Sequence, residues 1–182
     1  MDALRRSLRD APVVRRDEYS YFVHGVTDGV PPLEPAILRE VADGIRESVD
    51  LEGVEKIVAP EAMGIHHGTA LSLATGLPLV VVRKRSYGFD GEIALHQETA
   101  YGESELYLNG VEPGDRVLLV DDVLSSGGTI RAVAAGIEEA GAALVDVVVV
   151  LERVDADHGE LPREVTALLD VRVEDGRVTI VD

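Results

Sequence analysis

Two adjacent acids, Asp121 and Asp122, precede a turn of small and hydroxyl residues, SSGGT at positions 125–129. Backbone N–H groups of such a turn can converge on one anion, and a following helix adds the positive potential of its N-terminus. Carboxylates repel anions but accept hydrogen bonds from hydroxyl groups. Both features suit a single ligand that carries a phosphate monoester and a vicinal diol, as ribose 5-phosphate does. We therefore predict a sugar-phosphate site; the alternative is a helix cap with an incidental acid pair.

The turn differs from the commonest phosphate-binding loops, because it lacks the lysine and spacing of a Walker A loop and the G-x-G-x-x-G fingerprint. The segment VLLVDDVLSSGGT, residues 117–129, instead resembles the thirteen-residue signature of the type I phosphoribosyltransferases, which bind phosphoribosyl pyrophosphate (PRPP). The resemblance implies that Asp121 and Asp122 act in catalysis by holding the ribose 2- and 3-hydroxyls. It also implies that the 5-phosphate is held by Ser125, Ser126, Gly127, Gly128 and Thr129.

PRPP also carries a pyrophosphate, so a second anion site is required. The segment APEAMGIHHG, residues 59–68, has the order strand, turn, helix and resembles the pyrophosphate loop of purine phosphoribosyltransferases. Adenine enzymes often have Arg where this chain has Met63. The resemblance therefore implies that pyrophosphate is bound by the backbone N–H groups of Ala62, Met63 and Gly64. It also makes the stretch from Glu61 to Gly64 the place to expect an unusual peptide bond.

We expect the cationic run at 83–85 to bind an anion and the histidines at 66 and 67 to have a structural role. Arg83, Lys84 and Arg85 form the only run of three cations in a chain of formal net charge -17, so we expect this run to face an anion. By resemblance, Arg83 and Lys84 contact the pyrophosphate; an ordinary exposed patch is the alternative. His66 and His67 are expected to cap or pack, because two adjacent histidines cannot chelate one metal from one helix face.

The segment 86–108 resembles the flexible catalytic loop of this family. Such a loop closes over the pyrophosphate and excludes the water that would hydrolyse a cationic sugar intermediate. Tyr101 matches the usual aromatic residue of the loop, and the resemblance gives it a catalytic role. Adenine enzymes often place Glu just before this aromatic, where this chain has Ala100, with Glu98 and Glu103 nearby. The general acid/base is therefore left unassigned.

The segment YFVHGVTDGVPPLEP resembles the hood of adenine-type enzymes, and it is more similar to archaeal hypoxanthine/guanine-type enzymes. Those enzymes share blocks like YFVH, TDGVP, EAMGI, VVVRKRSYG and DDVLSSGGT in the same order, so the resemblance covers about residues 4 to 153. It implies base contacts from Val23, Val26, Leu151 and Arg153, with the last donating to a 6-oxo group. Ordinary packing is the alternative for each of them.

Hydrophobic periodicity predicts an α/β chain. Continuous β-branched runs alternate with helix-spaced apolar residues, which is typical of a parallel sheet covered on both faces. We predict strands at 55–60, 77–85, 116–120 and 143–154, helices at 34–49, 65–75 and 129–140, and a hairpin around Asp175-Gly176. Residues 1–33 are predicted to form a strand with loops, and 86–102 a long mobile loop with a return strand at 105–110. Ligands of such sheets bind beyond the carboxyl ends of the strands.

The resemblance implies the type I phosphoribosyltransferase fold, a central mainly parallel sheet flanked by helices, in one domain over residues 1–182. A small hood is expected from about 11–33 and 151–182, with a flexible β-loop at about 86–108. Composition agrees, because 182 residues with 46% hydrophobic content suit a single packed domain.

Composition also restricts compartment and partners. The absence of cysteine excludes disulfides, zinc–thiolate sites and cysteine nucleophiles. A net charge of -17 argues against nucleic acid and anionic membranes as partners. No run approaches the roughly 18 apolar residues of a membrane span, and no apolar signal segment begins the chain, so we expect a cytoplasmic protein. The spread of acids, with lysine only at positions 56 and 84, favours a halophile over an ordinary acidic protein.

By resemblance, the reaction joins a purine base to PRPP and releases pyrophosphate and a nucleoside 5-monophosphate. Hypoxanthine and guanine are favoured, adenine and xanthine stay open, and the purine-type hood argues against a pyrimidine such as orotate. Mg2+ is expected to bind through PRPP rather than through direct protein ligands, and the family resemblance implies a homodimer. Two other functions are considered: a non-catalytic PRPP-sensing regulator and a plain phosphate-binding scaffold.

Overall fold

The computed structural model describes residues 1–16, 19–99 and 102–181. In chain order its elements are α1 (Asp2–Arg9), β1 (Val13–Arg16), β2 (Tyr19–Phe22), α2 (Gly25–Asp28), α3 (Pro35–Ser48), β3 (Lys56–Pro60), α4 (Gly64–Thr75), β4 (Leu79–Val82), β5 (Ile93–Thr99), β6 (Gly102–Leu108), β7 (Arg116–Leu124), α5 (Gly128–Glu139), β8 (Ala143–Arg153), β9 (Thr166–Glu174) and β10 (Arg177–Val181). The predicted α/β class is confirmed.

A six-stranded sheet with the order β10-β9-β8-β7-β3-β4 forms the centre of the molecule. The strands from β9 to β4 are mutually parallel, and β10 pairs antiparallel with β9. The turn between β9 and β10 contains Asp175 and Gly176, with φ of +49° and +71°, so the predicted hairpin is confirmed. The parallel part of β9, from residue 166, was not predicted.

The core lies on both faces of this sheet, because successive residues of a strand point to opposite faces. Leu118 and Val120 of β7 pack in a cluster with residues of α1, α3 and α4. Val117 and Leu119 pack in a second cluster with residues of α5 and the β5–β6 hairpin. Both faces are therefore covered, which explains why β7 and β8 have continuous rather than alternating apolar sequences.

The segment predicted as a long mobile loop contains a strand. β5 pairs antiparallel with β6, and the hairpin packs on α5 through the buried Leu95, Leu106 and Leu108. Gly136 of α5 makes this approach possible, because a Cβ there would collide with the end of the Leu95 side chain. The period-two signal of β5 was too short to recognise, since its third inward position is Gln97 rather than an apolar residue.

Two helices near the N-terminus were not predicted. α1 buries Leu4 and Leu8 among charged neighbours, and Glu40 of α3 accepts hydrogen bonds from its first N–H groups at 3.0–3.1 Å. α2 is a single turn whose N-cap, His24, accepts from Val26 N through Nδ1 at 3.2 Å. Two apolar anchors or one turn are too few for a helical period to be visible in the sequence.

β9 and β10 belong to the central sheet, although they fall within the second half of the expected hood. The division of the chain into hood and body stays a prediction. Among the described residues, none of the helices combines the length and apolar character that a bilayer crossing requires.

Candidate active site

The acid pair lies near the carboxyl end of β7, which continues past the predicted end at residue 120 to Leu124. Asp121 is 6% exposed, and its Oδ1 accepts a hydrogen bond from Asp122 N at 2.9 Å. Burial raises the pKa of both carboxyls, and the charge of Asp121 raises that of Asp122 further. No ion pair among the described residues neutralises them. They form a concentrated acceptor site for hydroxyl groups or a cation.

The turn after β7 leads into α5 through Gly127, which is its N-cap and has a φ of +73°. A Cβ on Gly127 would lie 2.7 Å from Arg131 Nη1 and from Leu161 Cδ2. Both the left-handed backbone and the lack of space therefore require glycine. Arg131 fixes the turn from outside, donating to Ser126 O at 2.9 Å and to His158 O at 2.6 Å.

A second turn, between β3 and α4, lies directly against the acid pair. Its Glu61–Ala62 peptide bond is cis, within the stretch where an unusual peptide bond was expected. A Cβ on Gly64 would lie 3.0 Å from Asp121 Oδ1 and 3.1 Å from Val120 O. This close approach brings the start of α4 beside the end of β7.

The basic run follows β4, but its members have different surroundings. Lys84 lines the cavity described below. Arg83 instead pairs with Glu61, Nε to Oε2 at 2.6 Å, and exchanges two backbone hydrogen bonds with Tyr107 of β6. The structure thus places Lys84 at the site, whereas Arg83 connects the β3–α4 turn to the hairpin.

These elements enclose a cavity of about 510 Å³. Most of the predicted PRPP residues line it together, namely Asp121, Asp122, Ser125, Ser126, Gly127, Gly128, Thr129, Ala62, Met63 and Lys84. Gly64 and Arg83 do not line it. The N-termini of α4 and α5 are both adjacent to the acid pair, so the cavity can hold two anionic groups and a diol at once.

The residues predicted to contact the base do not line this cavity. Val26 and Leu151 are fully buried in the core, and Val23 is half-buried. Arg153 is 6% exposed and is held by Asp155, Nε to Oδ1 and Nη2 to Oδ2 both at 2.8 Å. Its Nη1 donates to Ser20 O at 3.2 Å, which leaves Arg153 as a link between β8 and β2.

Tyr101, the predicted catalytic residue of the loop, lies outside the described residues, as does Ala100. The roles of both stay predictions. The neighbouring parts of the hairpin are described up to residue 99 and from residue 102 onward.

Neither of the adjacent histidines lines the cavity, and of the two only His67 packs in the core. His67 is fully buried, and its Nε2 is 3.1 Å from Val26 O, so α4 holds α2 in place. Burial lowers the pKa of His67 to about 4, which keeps the ring neutral and makes Nε2 the donor. His66 is exposed on the same helix. Through this contact α2 presents Thr27 to the cavity.

Four residues near the cavity were missed in the sequence: Thr27, Gln97, Ser104 and Arg131. Gln97 donates from Nε2 to Thr129 Oγ1 at 2.5 Å, and its Oε1 accepts from Ser104 Oγ at 3.1 Å. For Gln97, the one sequence signal was that a polar residue occupies an inward-facing position of β5. This signal can be interpreted only after β5 itself has been predicted.

Comparison with known proteins adds to this geometry. The family model of the phosphoribosyl transferase domain matches residues 33–170. HGPRTase-like protein 3 of Haloterrigena turkmenica is 72% identical over 98% of this chain and 96% of its own length. HGPRTase-like protein 1 of Halalkalicoccus jeotgali is 55% identical over 99% of each. The crystal structure of adenine phosphoribosyltransferase from Thermoanaerobacter pseudethanolicus matches with a TM-score of 0.77 at 26% identity, covering 93% of this chain and 98% of that one.

Proposed function

Because the chain belongs to the phosphoribosyltransferase family of enzymes, we propose that it is a purine phosphoribosyltransferase of purine salvage. It converts a purine base and PRPP to a nucleoside 5-monophosphate and pyrophosphate. One observation carries the proposal: a single cavity holds the acid pair, the buried Asp121 and the half-buried Asp122, beside the N-termini of two helices. This is the donor and acceptor layout that a ribose with phosphate groups at both ends requires.

Each part of the cavity has a role in binding PRPP. Asp121 and Asp122 accept hydrogen bonds from the ribose hydroxyls, and the turn at 125–129 donates to the 5-phosphate. The backbone of the turn at 61–64 and the Lys84 ammonium bind the pyrophosphate. Two anion sites on either side of one diol site would hold the sugar in a single orientation.

The chemistry follows from this placement. The bond between C1 of the ribose and the pyrophosphate oxygen breaks, and its electron pair leaves with the pyrophosphate. A nitrogen of the base forms the new bond to C1, and its proton leaves through a general base, so that the products are the nucleoside 5-monophosphate and protonated pyrophosphate. Positive charge that develops on the ribose is stabilised by the carboxylates beside it, which are fixed before the reaction begins.

The acid pair also fits the magnesium ion that we propose as cofactor. Carboxylate oxygens are the donors that Mg2+ prefers, and no cation among the described residues pairs with either acid. The described residues contain no group of three or more acids and histidines that could hold a metal alone. Mg2+ would therefore be held mainly by PRPP oxygens, close to Asp121 and Asp122. When bound, it neutralises charge on the leaving pyrophosphate.

Hypoxanthine and guanine are the bases that we favour. The relatives with 72% and 55% identity are both named HGPRTase-like, and each matches nearly the whole chain. The second candidate is adenine, because the similar solved structure is an adenine phosphoribosyltransferase. That similarity is at 26% identity, which makes it the weaker guide to the base. We further propose a cytoplasmic homodimer adapted to high salt.

The first test is turnover in molar KCl with Mg2+ and PRPP, with hypoxanthine, guanine, adenine, xanthine and orotate offered separately. Product from hypoxanthine or guanine is expected, measured as the nucleoside 5-monophosphate. Product from adenine alone would contradict the favoured base but keep the reaction. PRPP binding without product from any base would contradict the catalytic proposal and support a PRPP-sensing protein.

A further inference from the structure

Gln97 is a buried amide that the roles given above do not use. It lies on β5, is 7% exposed and lines the cavity. Both ends of the amide are bonded, Nε2 to Thr129 Oγ1 at 2.5 Å and Oε1 to Ser104 Oγ at 3.1 Å. A buried amide is costly unless its partners are present, so this side chain has a defined orientation.

With the Gln97 amide oriented as in the structure, Nε2 toward Thr129 and Oε1 toward Ser104, the direction of both hydrogen bonds follows. The Gln97 oxygen can only accept, so the Ser104 hydroxyl must donate to it. The Gln97 nitrogen can only donate, so the Thr129 hydroxyl must accept. A hydroxyl has one hydrogen and two lone pairs, and a lone pair of Thr129 is occupied by Gln97. The hydrogen of Thr129 is therefore left to donate to another acceptor.

The hairpin that carries Gln97 is itself anchored. Leu95, two residues before it on the same face, packs against Gly136 of α5, and Leu106 of β6 is buried in the same cluster. Thr129 lies in the first turn of that same helix α5. The packing of the hairpin on α5 thus places the amide and the hydroxyl side by side.

We propose that Gln97 is a positioning residue, whose amide holds the Thr129 hydroxyl so that its hydrogen points at the 5-phosphate of the substrate. The inference rests on the proposed function, because it takes the anion at the 125–129 turn to be the phosphate of a phosphorylated ribose. Gln97 itself does not contact the phosphate. It determines that the hydrogen of the Thr129 hydroxyl, rather than one of its lone pairs, faces the phosphate.

The test is a set of variants at both ends of this contact, with ligand binding measured by calorimetry in molar KCl. The Gln97→Met variant is made in the wild-type chain, in Thr129→Ser, which keeps a hydroxyl, and in Thr129→Val, which removes it. The ligands are ribose 5-phosphate and, as the matched control, pyrophosphate. A hydrogen bond to a charged group predicts about a tenfold loss of ribose 5-phosphate affinity where a hydroxyl is present.

The residue at position 129 decides how much affinity the Gln97→Met change removes. We expect the tenfold loss of ribose 5-phosphate affinity in the wild-type and Thr129→Ser chains, and less than about a twofold loss in Thr129→Val. The affinity for pyrophosphate should not change in any of the three. An equal loss in all three backgrounds would mean that Gln97 only supports the fold, and no loss in any would overturn the inference as well. The Ser104→Ala variant removes the hydrogen bond at the other end of the Gln97 amide, and Ser104 is at an exposed position. It should cause a smaller loss of ribose 5-phosphate affinity, again only where residue 129 carries a hydroxyl.

The failure of the proposed function has a different signature. A wild-type chain that binds neither PRPP nor ribose 5-phosphate contradicts the function itself, and the role of Gln97 with it. A wild-type chain that binds both, with a Gln97→Met variant that binds them equally well, contradicts the role of Gln97 alone.

Discussion

At the scale of single residues, the acid pair lowers the stability of the ligand-free fold at neutral pH. The pKa of Asp122 is raised by burial and by the neighbouring Asp121, so its charged form is disfavoured in the folded protein. A carboxyl whose pKa is raised on folding destabilises the fold at neutral pH. That penalty is absent below the unfolded pKa of about 4 and grows as the pH rises above it. A diol or a cation beside the carboxyl would relieve it.

We expect Asp122→Asn to lower kcat/KM by about 100-fold or more, because the amide cannot supply the charge that faces the reacting ribose. The same variant should raise the unfolding midpoint of the ligand-free protein at pH 7, and this gain should disappear at about pH 3, below the unfolded pKa, where the wild-type carboxyl is mostly protonated in both states. Steady-state kinetics and thermal unfolding at both pH values check the two parts.

The matched control is Asp43→Asn, at an exposed position of α3 that pairs with Arg46. It should leave both the kinetics and the unfolding midpoint close to those of the wild type. Wild-type kinetics in Asp122→Asn would contradict the assignment of Asp122 to the ribose.

At the scale of elements, the site depends on how closely α4 approaches β7. Gly64→Ala adds a Cβ that would lie 2.9 Å from Pro60 Cδ and 3.0 Å from Asp121 Oδ1. The start of α4 must therefore move, and with it the turn at 61–64, to which we assign the pyrophosphate. We expect the KM for PRPP to rise about tenfold or more and stability to fall by about 1–3 kcal/mol. Initial rates at varied PRPP and urea unfolding measure the two effects.

Gly44→Ala in α3 is the control for that substitution. Its Cβ would lie 3.3 Å from Met1 Sδ and from Leu168 Cδ1, both ends of flexible side chains remote from the cavity. This variant should keep the wild-type KM and gain up to about 1 kcal/mol from helix propensity. If Gly64→Ala behaves in the same way, the close approach of α4 to the acid pair has no functional consequence.

The elements also show what the sequence could reveal. β3, β7 and β8 were predicted because both faces of their sheet are covered, which leaves long apolar runs in the sequence. The 125–129 turn was predicted because its residues are contiguous. Gln97 was missed because it reaches Thr129 from 32 positions away, across a hairpin whose short alternation resembles a loop. Contacts of this kind depend on tertiary packing, which a local period does not encode.

At the scale of the whole molecule, charge is the dominant feature, since a net charge of -17 is spread over 182 residues. The described ion pairs are few against this excess of acids, and three of them are largely exposed to solvent, so they offset little of the repulsion. Repulsion among surface carboxylates opposes the compact state, and it weakens as the Debye length falls from about 10 Å at 0.1 M salt to about 3 Å at 1 M. The fold should therefore be most stable in concentrated salt.

We expect the unfolding midpoint to rise steadily between dilute buffer and molar KCl, and the KM for the anionic PRPP to fall over the same range. Sucrose at matched osmolality is the control, because it favours compact states by exclusion from the surface without screening charge. Screening predicts a rise with KCl that is steepest at low concentration and that sucrose does not reproduce. A midpoint that is equal in dilute buffer and in KCl would contradict adaptation to high salt. It would also show that packing in the two apolar clusters outweighs the repulsion among surface carboxylates without help from salt.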